Sequence, residues 1–336
     1  MRRAIMAAII MMAVIGLLAS TGICGPIVLK GITAFPKNHL ANDPVPIFID
    51  KVNQRSGGKL KIDWIGGPEV VKSFDQVHAL KSGMIDIILY CPFPYMKSLL
   101  PVAEAKALSQ LAQWEERASG AFDLMSEILA KRVNGKYLGS PHSYVGYHIY
   151  TNKKITQLAD FKGVKIRAQP LYVPLLEALG ATPVSMPAPE IYTAMERGVV
   201  DGFMWPKVGM ISWGLHEITK YVVEPSILRM GSCTVMNLDK WNKLPKELQD
   251  TVMDVMKDVE YIGAMRNIMI AEYEDGVRRN AGMQFVKLPP EDAKKLEALA
   301  YEKTWAEVIK DAPEDGPKLR KLSSKEALPK GTFPWQ

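Results

Sequence analysis

The 336-residue chain is poor in cysteine (three), in histidine (five) and in aromatic residues (8%), and it has no strong charge of either sign: 42 Lys and Arg stand against 36 Asp and Glu, a formal +6. So little cysteine excludes a disulfide-knotted miniprotein. With 48% apolar and 23% charged residues the chain is not a disordered tail. Gly 25 and Pro 23 without a G-X-Y period exclude collagen. A mean hydropathy of −0.02 and a single long apolar run exclude a polytopic membrane protein. Lys and Arg are scattered rather than gathered into a stripe with interleaved aromatics, so no nucleic acid partner is expected, although a mildly basic surface can steer small anions. Catalytic signatures are missing too: there is no GxSxG elbow, Walker loop, GxGxxG, CxxC or HExxH. His39, His78, His142, His148 and His216 are dispersed, and the nearest pair, His142 and His148, has no carboxylate at ligand spacing. No metal, cofactor or enzyme activity is predicted.

What is present begins with a leader. Arg2 and Arg3 precede an apolar run over 4–18 and mostly small residues through Gly25, which reads as a secretory signal over 1–25 and predicts a periplasmic protein. Fifteen apolar residues are short for a membrane span, which leaves an uncleaved anchor as the lesser alternative. Ile23 before Cys24 argues against a lipid-modified cysteine, where small residues would be expected. Removing the leader leaves 40 basic and 36 acidic residues, a charge of +4. Cys91 and Cys233 remain, each beside a strand-like run; buried free thiols are the adopted reading, with one disulfide as the alternative if the two strands are neighbours.

Residues 27–35 read as a strand, after which Pro44 and Pro46 open a helix with Ile47, Phe48 and Val52 inward, stopped by Gly57-Gly58. Residues 59–64 alternate, with Leu60, Ile62 and Trp64 on one face. Val70, Phe74, Val77 and Leu80 then follow helical spacing up to Gly83, and 84–90 is the apolar run of a buried parallel strand. This order predicts a parallel sheet covered by helices. Ala118, Phe122, Met125 and Leu129 predict one further helix, and a second set of strands (144–151, 164–168, 183–186, 199–205) and helices (172–179, 189–197) repeats the grammar. Two α/β units fit the length.

The stretch 245–280 has no internal proline and glycine only at Gly263 and Gly276, with Leu248, Val252, Met256, Val259, Ile262 and Met269 near helical spacing. As one helix it spans about 54 Å. Glu247, Asp250, Asp254 and Asp258 near its start and Arg278-Arg279 at its end suit the helix dipole. The alternative is two helices broken near Gly263. A strand at 283–288, a helix opened by Pro289-Pro290 and a polar tail complete the chain.

An export signal, two α/β units and no catalytic motif describe an extracytoplasmic ligand-binding protein that closes on a small molecule. Asp160-Phe161-Lys162-Gly163-Val164-Lys165-Ile166-Arg167 resembles the "DLKGLKIR" segment of the solute-binding subunits of TRAP (tripartite ATP-independent periplasmic) transporters, the DctP-type family. Leu179-Gly180-Ala181-Thr182-Pro183-Val184, then Pro189-Glu190-Ile191-Tyr192-Thr193-Ala194-Met195, then Gly198-Val199-Val200-Asp201-Gly202 follow in that family's order and spacing. The resemblance implies a two-lobed periplasmic-binding-protein fold with a hinge cleft and one long helix spanning both lobes. It also implies crossing between lobes: 26–143 with 230–270 as the first, 144–229 with 271–328 as the second, and 329–336 as a tail.

It further implies that Arg167 forms a salt bridge with a ligand carboxylate, which suits the two parallel donors of a guanidinium. Trp205 stands where many family members have Asn. Met204 stands where a related branch carries Glu to help hold a cation, so none is expected here. A second cleft arginine of another branch would fall near Tyr147 or His148 and is absent, which points to a monocarboxylate. The loop Pro92-Phe93-Pro94-Tyr95 is similar to one that supplies an aromatic to the cleft. The predicted ligand site is therefore Arg167, Trp205, Tyr95, Tyr147, Phe93, His148, Met204 and Trp64. The partners implied are a small carboxylate, keto-, hydroxy- or aromatic, and membrane permease subunits, with the protein itself a monomer or a homodimer. Alternatives are a binding protein of an ATP-driven importer, an exported enzyme acting on a small acid, and a sensing subunit of a receptor.

Overall fold

The computed structural model describes residues 25–331 apart from 143, 144, 187 and 230. The expected signal with Cys24, the first residue of the strand predicted at 144–151 and the last five residues lie outside the described residues.

The chain opens with β1 (Ile27–Thr33), α1 (Pro44–Arg55), β2 (Leu60–Gly66), α2 (Gln76–Ser82) and β3 (Ile87–Pro92), and continues with α3 (Gln113–Ser119), α4 (Ala121–Val133) and β4 (Gly135–Gly139). A second group follows: β5 (Gly146–Thr151), β6 (Lys165–Arg167), α5 (Val173–Ala178), β7 (Thr182–Val184), α6 (Ile191–Glu196), β8 (Gly202–Pro206) and β9 (Tyr221–Arg229). The chain then returns through β10 (Ser232–Asn237), α7 (Leu238–Asn242) and α8 (Lys246–Asn280), and ends with β11 (Gln284–Lys287), α9 (Pro290–Asp311) and α10 (Gly316–Leu322).

These strands make two sheets, one in the order β2-β1-β3-β10-β4 and one in the order β11-β9-β5-β8-β6-β7. The expectation of a parallel first sheet holds for β1, β2 and β3 only. The returning strand β10 inserts antiparallel between β3 and β4, so the sheet is mixed. Strand β9, for which the sequence reading made no provision, pairs antiparallel with β5 and leads directly to β10 in the other sheet. Apolar clusters pack on both faces of each sheet. Phe122, Leu129 and Tyr137 lie on one side of the first sheet and Phe48, Val52 and Leu60 on the other; Phe161 and Leu175 oppose Tyr150 and Phe203 across the second.

Three local expectations change. The helix predicted through 118–129 is two, because Gly120 adopts φ 86, a left-handed conformation that both ends α3 and redirects α4. Val70 and Phe74 are exposed and precede α2, because the turn at Gly67, whose carbonyl accepts from the Val70 amide, interrupts their apparent helical spacing. Residues 271–328, placed as a whole with the second lobe, divide between the two: Leu296 and Ala300 pack in the second core, whereas Trp305, Val308, Ala312 and Leu319 pack in the first.

The long helix α8 is continuous over 35 residues. Gly263 does not break it. A Cβ there would lie 2.0 Å from the Pro141 carbonyl oxygen, so the glycine lets the crossing segment after β4 lie directly against the helix. Cys91 and Cys233 face each other across β3 and β10 as buried free thiols.

Candidate functional site

Between the sheets, with α8 on one wall, lies a cavity of about 220 Å³. This is room for many waters or a small organic molecule. Its lining draws on both sheets and the helix: Tyr90, Tyr95 and His142 from the first body, Arg167, Tyr172 and Trp205 from the second, and Gly263, Arg266, Asn267 and Ile270 from α8.

Arg167 ends β6, the middle strand between β7 and β8, so its side chain leaves the sheet at the strand's carboxyl end and enters the cavity. Its Nε donates to the Met186 carbonyl at 3.0 Å, which fixes the plane of the guanidinium. The residue is only 5% exposed, and among the described residues no carboxylate forms an ion pair with it. Burial alone therefore lowers its pKa; the nearby hydroxyl groups of Tyr147, Tyr172 and Tyr95 oppose that shift. A buried cation without a counter-ion costs folding free energy unless an anion arrives to pair with it.

Tyr147 lines the cavity beside it, its ring 5.1 Å from that of Tyr172 and its hydroxyl hydrogen-bonded to the Tyr172 hydroxyl. Burial pushes the Tyr147 phenol up to about 12, so both hydroxyls stay protonated donors. On β8, Met204 and Trp205 also face the cavity. The Trp205 indole Nε1 is buried with no hydrogen-bond partner, and its ring meets Trp213 edge-on at 6.2 Å. From the first body Phe35, Tyr90 and Tyr95 form an aromatic cluster, with Phe35 stacked on His39 at 4.5 Å. His142 donates from Nε2 to the Ala41 carbonyl at 2.7 Å, and burial lowers its pKa, which keeps it neutral. Two other arginines line the cavity: Arg266 is matched by Asp43, and Arg229 donates from Nη1 to the Leu111 carbonyl at 3.2 Å, whereas Arg167 is buried with its two terminal nitrogens facing no carboxylate among the described residues.

Of the residues expected from sequence, Arg167, Trp205, Tyr95, Tyr147 and Met204 line this cavity. Three do not. His148 is the cross-strand partner of Trp205 but does not reach the cavity: its Nδ1 contacts the Val223 carbonyl at 3.1 Å, and burial drives its pKa down to about 4. Phe93 lies on a tight 3-10 turn, where it and Met96, three residues on, point into the core while Tyr95 points out. Trp64 is held on the outer side of the first sheet by hydrogen bonds to Thr33 Oγ1 and the Gly66 carbonyl. Sequence reasoning missed Tyr90, Tyr172, His142 and Asn267. Tyr90 and Tyr172 had only a weak signal, since a tyrosine in an otherwise apolar segment carries a hydroxyl that needs a polar partner. Among the described residues no group of three or more His, Cys, Asp or Glu is placed to hold a metal ion.

Two α/β bodies sharing strand crossovers and a common helix, with a cavity between them that holds several aromatic rings and the buried Arg167, define the class of two-lobed solute-binding proteins. The chain belongs to the bacterial extracellular solute-binding protein family 7, whose family model matches residues 33–311, the solute-binding subunits of TRAP transporters. A solute-binding protein of Roseobacter denitrificans is 25% identical over 292 residues, 81% of this chain and 86% of the other. An uncharacterized protein of Haemophilus influenzae is 36% identical over 103 residues, and the match spans about a third of its length. Among solved structures, a TRAP periplasmic solute-binding protein of Rhodobacter sphaeroides in an open, ligand-free form superposes with a TM-score of 0.78 at 20% identity, covering 88% of this chain and 98% of that one. A marine-metagenome TRAP solute-binding protein specific for aromatic acids, in complex with metahydroxyphenylacetate, superposes with a TM-score of 0.70 at 25% identity, covering 90% and 98%. The family is periplasmic, and no described helix is long and apolar enough to cross a membrane.

Proposed function

We propose that this chain is the exported solute-binding subunit of a TRAP transporter, that it captures an organic monocarboxylate with an aromatic or similarly flat apolar body, and that it delivers it to membrane permease subunits without chemical change. The observation that carries this reading is the buried Arg167 guanidinium with no carboxylate partner among the described residues, in a cavity whose lining includes Phe35, Tyr90, Tyr95, Tyr147, Tyr172 and Trp205. A carboxylate would take the two terminal guanidinium nitrogens, and the body of the ligand would lie between Tyr147 and Trp205 on one side and Tyr90 and Tyr95 on the other. Trp205 Nε1 is then the donor for a second oxygen on the ligand, such as a hydroxyl or keto group. The aromatic acid held by the marine-metagenome neighbour supports the same ligand type.

Capture works by population shift. Arg167 stands on one body and the Tyr90 and Tyr95 cluster on the other, so a ligand that touches both favours the closed arrangement. A continuous α8 agrees with this transporter class, whose resemblance implied one long helix spanning both lobes. A thermal-shift panel of small acids tests the reading, because a ligand specific for the folded state raises the melting temperature by mass action. Aromatic and keto- or hydroxy-monocarboxylates should stabilise the protein and be recovered unchanged. Stabilisation only by amines or neutral sugars, or turnover of the acid, would refute it.

A further inference from the structure

The stretch 207–213, which leaves the end of β8, forms part of the cavity wall through Val208, Gly209, Ser212 and Trp213. The Lys207 amide at its start donates to the Gly146 carbonyl at 2.8 Å, and the Trp213 amide at its end donates to the Met210 carbonyl at 3.2 Å. Between these two bonds lie the amides of Gly209, Met210 and Ile211, and all three turn to one side chain of another element. Glu274 of α8 accepts from the Gly209 amide at 2.8 Å, and the Met210 and Ile211 amides also favour its charged form. Successive backbone N–H groups that converge in this way make a seat for a carboxylate, and glycine permits the left-handed φ of 89° that Gly209 adopts there.

Glu274 fills this seat at a cost in stability. Its side chain is 5% exposed, burial raises its pKa, and its second carboxylate oxygen is buried without a hydrogen bond, the Arg278 Nη1 lying 4.0 Å away. A residue that served only the packing of the helix would better be apolar. The neighbours of Glu274 on α8 hold just the start of the stretch: Asp275 pairs with Lys207 Nζ at 2.9 Å, and Arg278 donates to the Lys207 carbonyl at 2.8 Å. Beyond Lys207, the Trp213 ring meets Trp205 edge-on at 6.2 Å. The first half of α8 packs in the first core, so a wall that follows a strand of the second body is fixed by an element rooted in the other body.

We propose that Glu274 is the positioning residue of the cavity's tryptophan wall: through the amides of 209–211 it sets where Trp213 stands behind Trp205, and so how closely that wall approaches a ring bound at Arg167. The proposal rests on the reading of the cavity as the seat of an aromatic monocarboxylate. Glu274 itself does not line the cavity and touches no ligand. Its effect is therefore selective, since an acid with a ring uses the wall whereas a short keto acid held by Arg167 does not.

Hydrogen exchange read by mass spectrometry on the ligand-free, mature full-length protein tests this, together with calorimetry using metahydroxyphenylacetate and pyruvate as probes. Glu274→Leu should speed exchange over 208–213 by about tenfold or more and leave β5 and β9 unchanged, because the stretch loses its anchor and the sheet does not. Its affinity for metahydroxyphenylacetate should fall about fivefold to tenfold, and that for pyruvate less than about twofold, because the ring must then order the wall on binding. Glu274→Gln keeps an acceptor for the Gly209 amide and should restore most of both readouts. Unchanged exchange over 208–213 in Glu274→Leu, faster exchange throughout the second sheet, or an equal loss for the two acids would overturn the proposal. If neither acid binds the parent protein, the ligand reading fails, and exchange over 208–213 in the two variants decides the role of Glu274 by itself.

Discussion

Replacing Arg167 by alanine separates binding from folding more sharply than any other change. The guanidinium is 5% exposed and its Nε is already held by the Met186 carbonyl, so a ligand carboxylate meets a fixed, desolvated donor pair rather than a flexible surface charge. Truncating one partner of a buried, hydrogen-bonded charge pair costs about 2–5 kcal/mol, much of it from leaving the other charge unpaired. At about 1.4 kcal/mol per decade, Arg167→Ala should weaken the stabilising carboxylate by roughly 30-fold to several thousandfold in isothermal titration calorimetry. Arg167→Lys keeps the charge but loses the planar pair of donors and the Met186 contact; we expect a loss of about tenfold or more. The free protein should behave oppositely. Arg167→Met removes a buried cation with no counter-ion, so its ligand-free melting temperature should equal or exceed that of the parent while its response to the acid disappears. A dissociation constant within threefold of the parent for a correctly folded Arg167→Ala protein would refute the assignment.

Further outcomes follow from other parts of the structure. Trp205→Phe keeps the ring and removes the partnerless Nε1 donor, so calorimetry should show a loss of about threefold to tenfold for acids with a second oxygen and little for unsubstituted ones. Gly263→Ala puts a methyl where the Pro141 carbonyl oxygen stands, 2.0 Å away, and should cost about 2–4 kcal/mol in urea denaturation. Gly276→Ala, on the same helix with open space around it, should gain up to about 1 kcal/mol. Equal effects at the two glycines would contradict the close approach. His148 is held near pKa 4 against about 6.5 when unfolded, so below pH 6.5 the unfolded chain takes up a proton that the native state refuses. Stability should fall between pH 6.5 and 4, by up to about 3 kcal/mol, and level off below that range as far as this residue is concerned; His148→Gln should flatten that part of the profile, and an unchanged slope would argue against a buried neutral imidazole.

The fold was legible wherever local pattern and burial coincide. Proline starts and glycine stops marked α1 and the end of α2, and the apolar run into Tyr90 marked β3, because each depends on a few neighbouring residues. Strand β9 was not legible. Its Glu224, Pro225 and Ser226 interrupt both alternation and apolar run, as fits a strand that leaves one sheet for the other. In the site, Arg167, Trp205, Met204 and Tyr147 all came from a resemblance in linear motif, as did the loop that carries Tyr95. Phe93 failed because one residue of phase on a tight turn decides which way a side chain points, and residue type does not fix that phase; His148 failed because a distant partner, the Val223 carbonyl, holds its ring. His142 and Asn267 touch only in the folded chain, 125 positions apart, and no local signal connects them.

The long helix shows why an apolar pattern can be right about an element and wrong about its face. Through Val259, the inward positions of α8 are apolar and pack in the first core: Leu248, Val252, Val255, Met256 and Val259. Beyond it the pattern inverts. The buried positions become Glu260, Asn267, Glu274 and Arg278 with only the small Gly263, Ala264 and Ala271 between them, and the apolar residues Met265, Ile268, Met269 and Tyr273 turn to solvent. The inversion follows from what the helix faces, since past the first core it meets backbone crossing between the bodies and the cavity wall, where unpaired amides and carbonyls need partners. Glu260 accepts from the Ser140 amide at 2.8 Å and pairs with Arg117; Glu274 accepts from the Gly209 amide at 2.8 Å; Arg278 donates to the Tyr150 hydroxyl at 3.0 Å and to the Lys207 carbonyl at 2.8 Å. Each bond ties the helix to a segment that leaves a sheet, so α8 holds both bodies by polar contacts through its second half. A helix anchored in this way has no need of apolar residues on its outer face for folding.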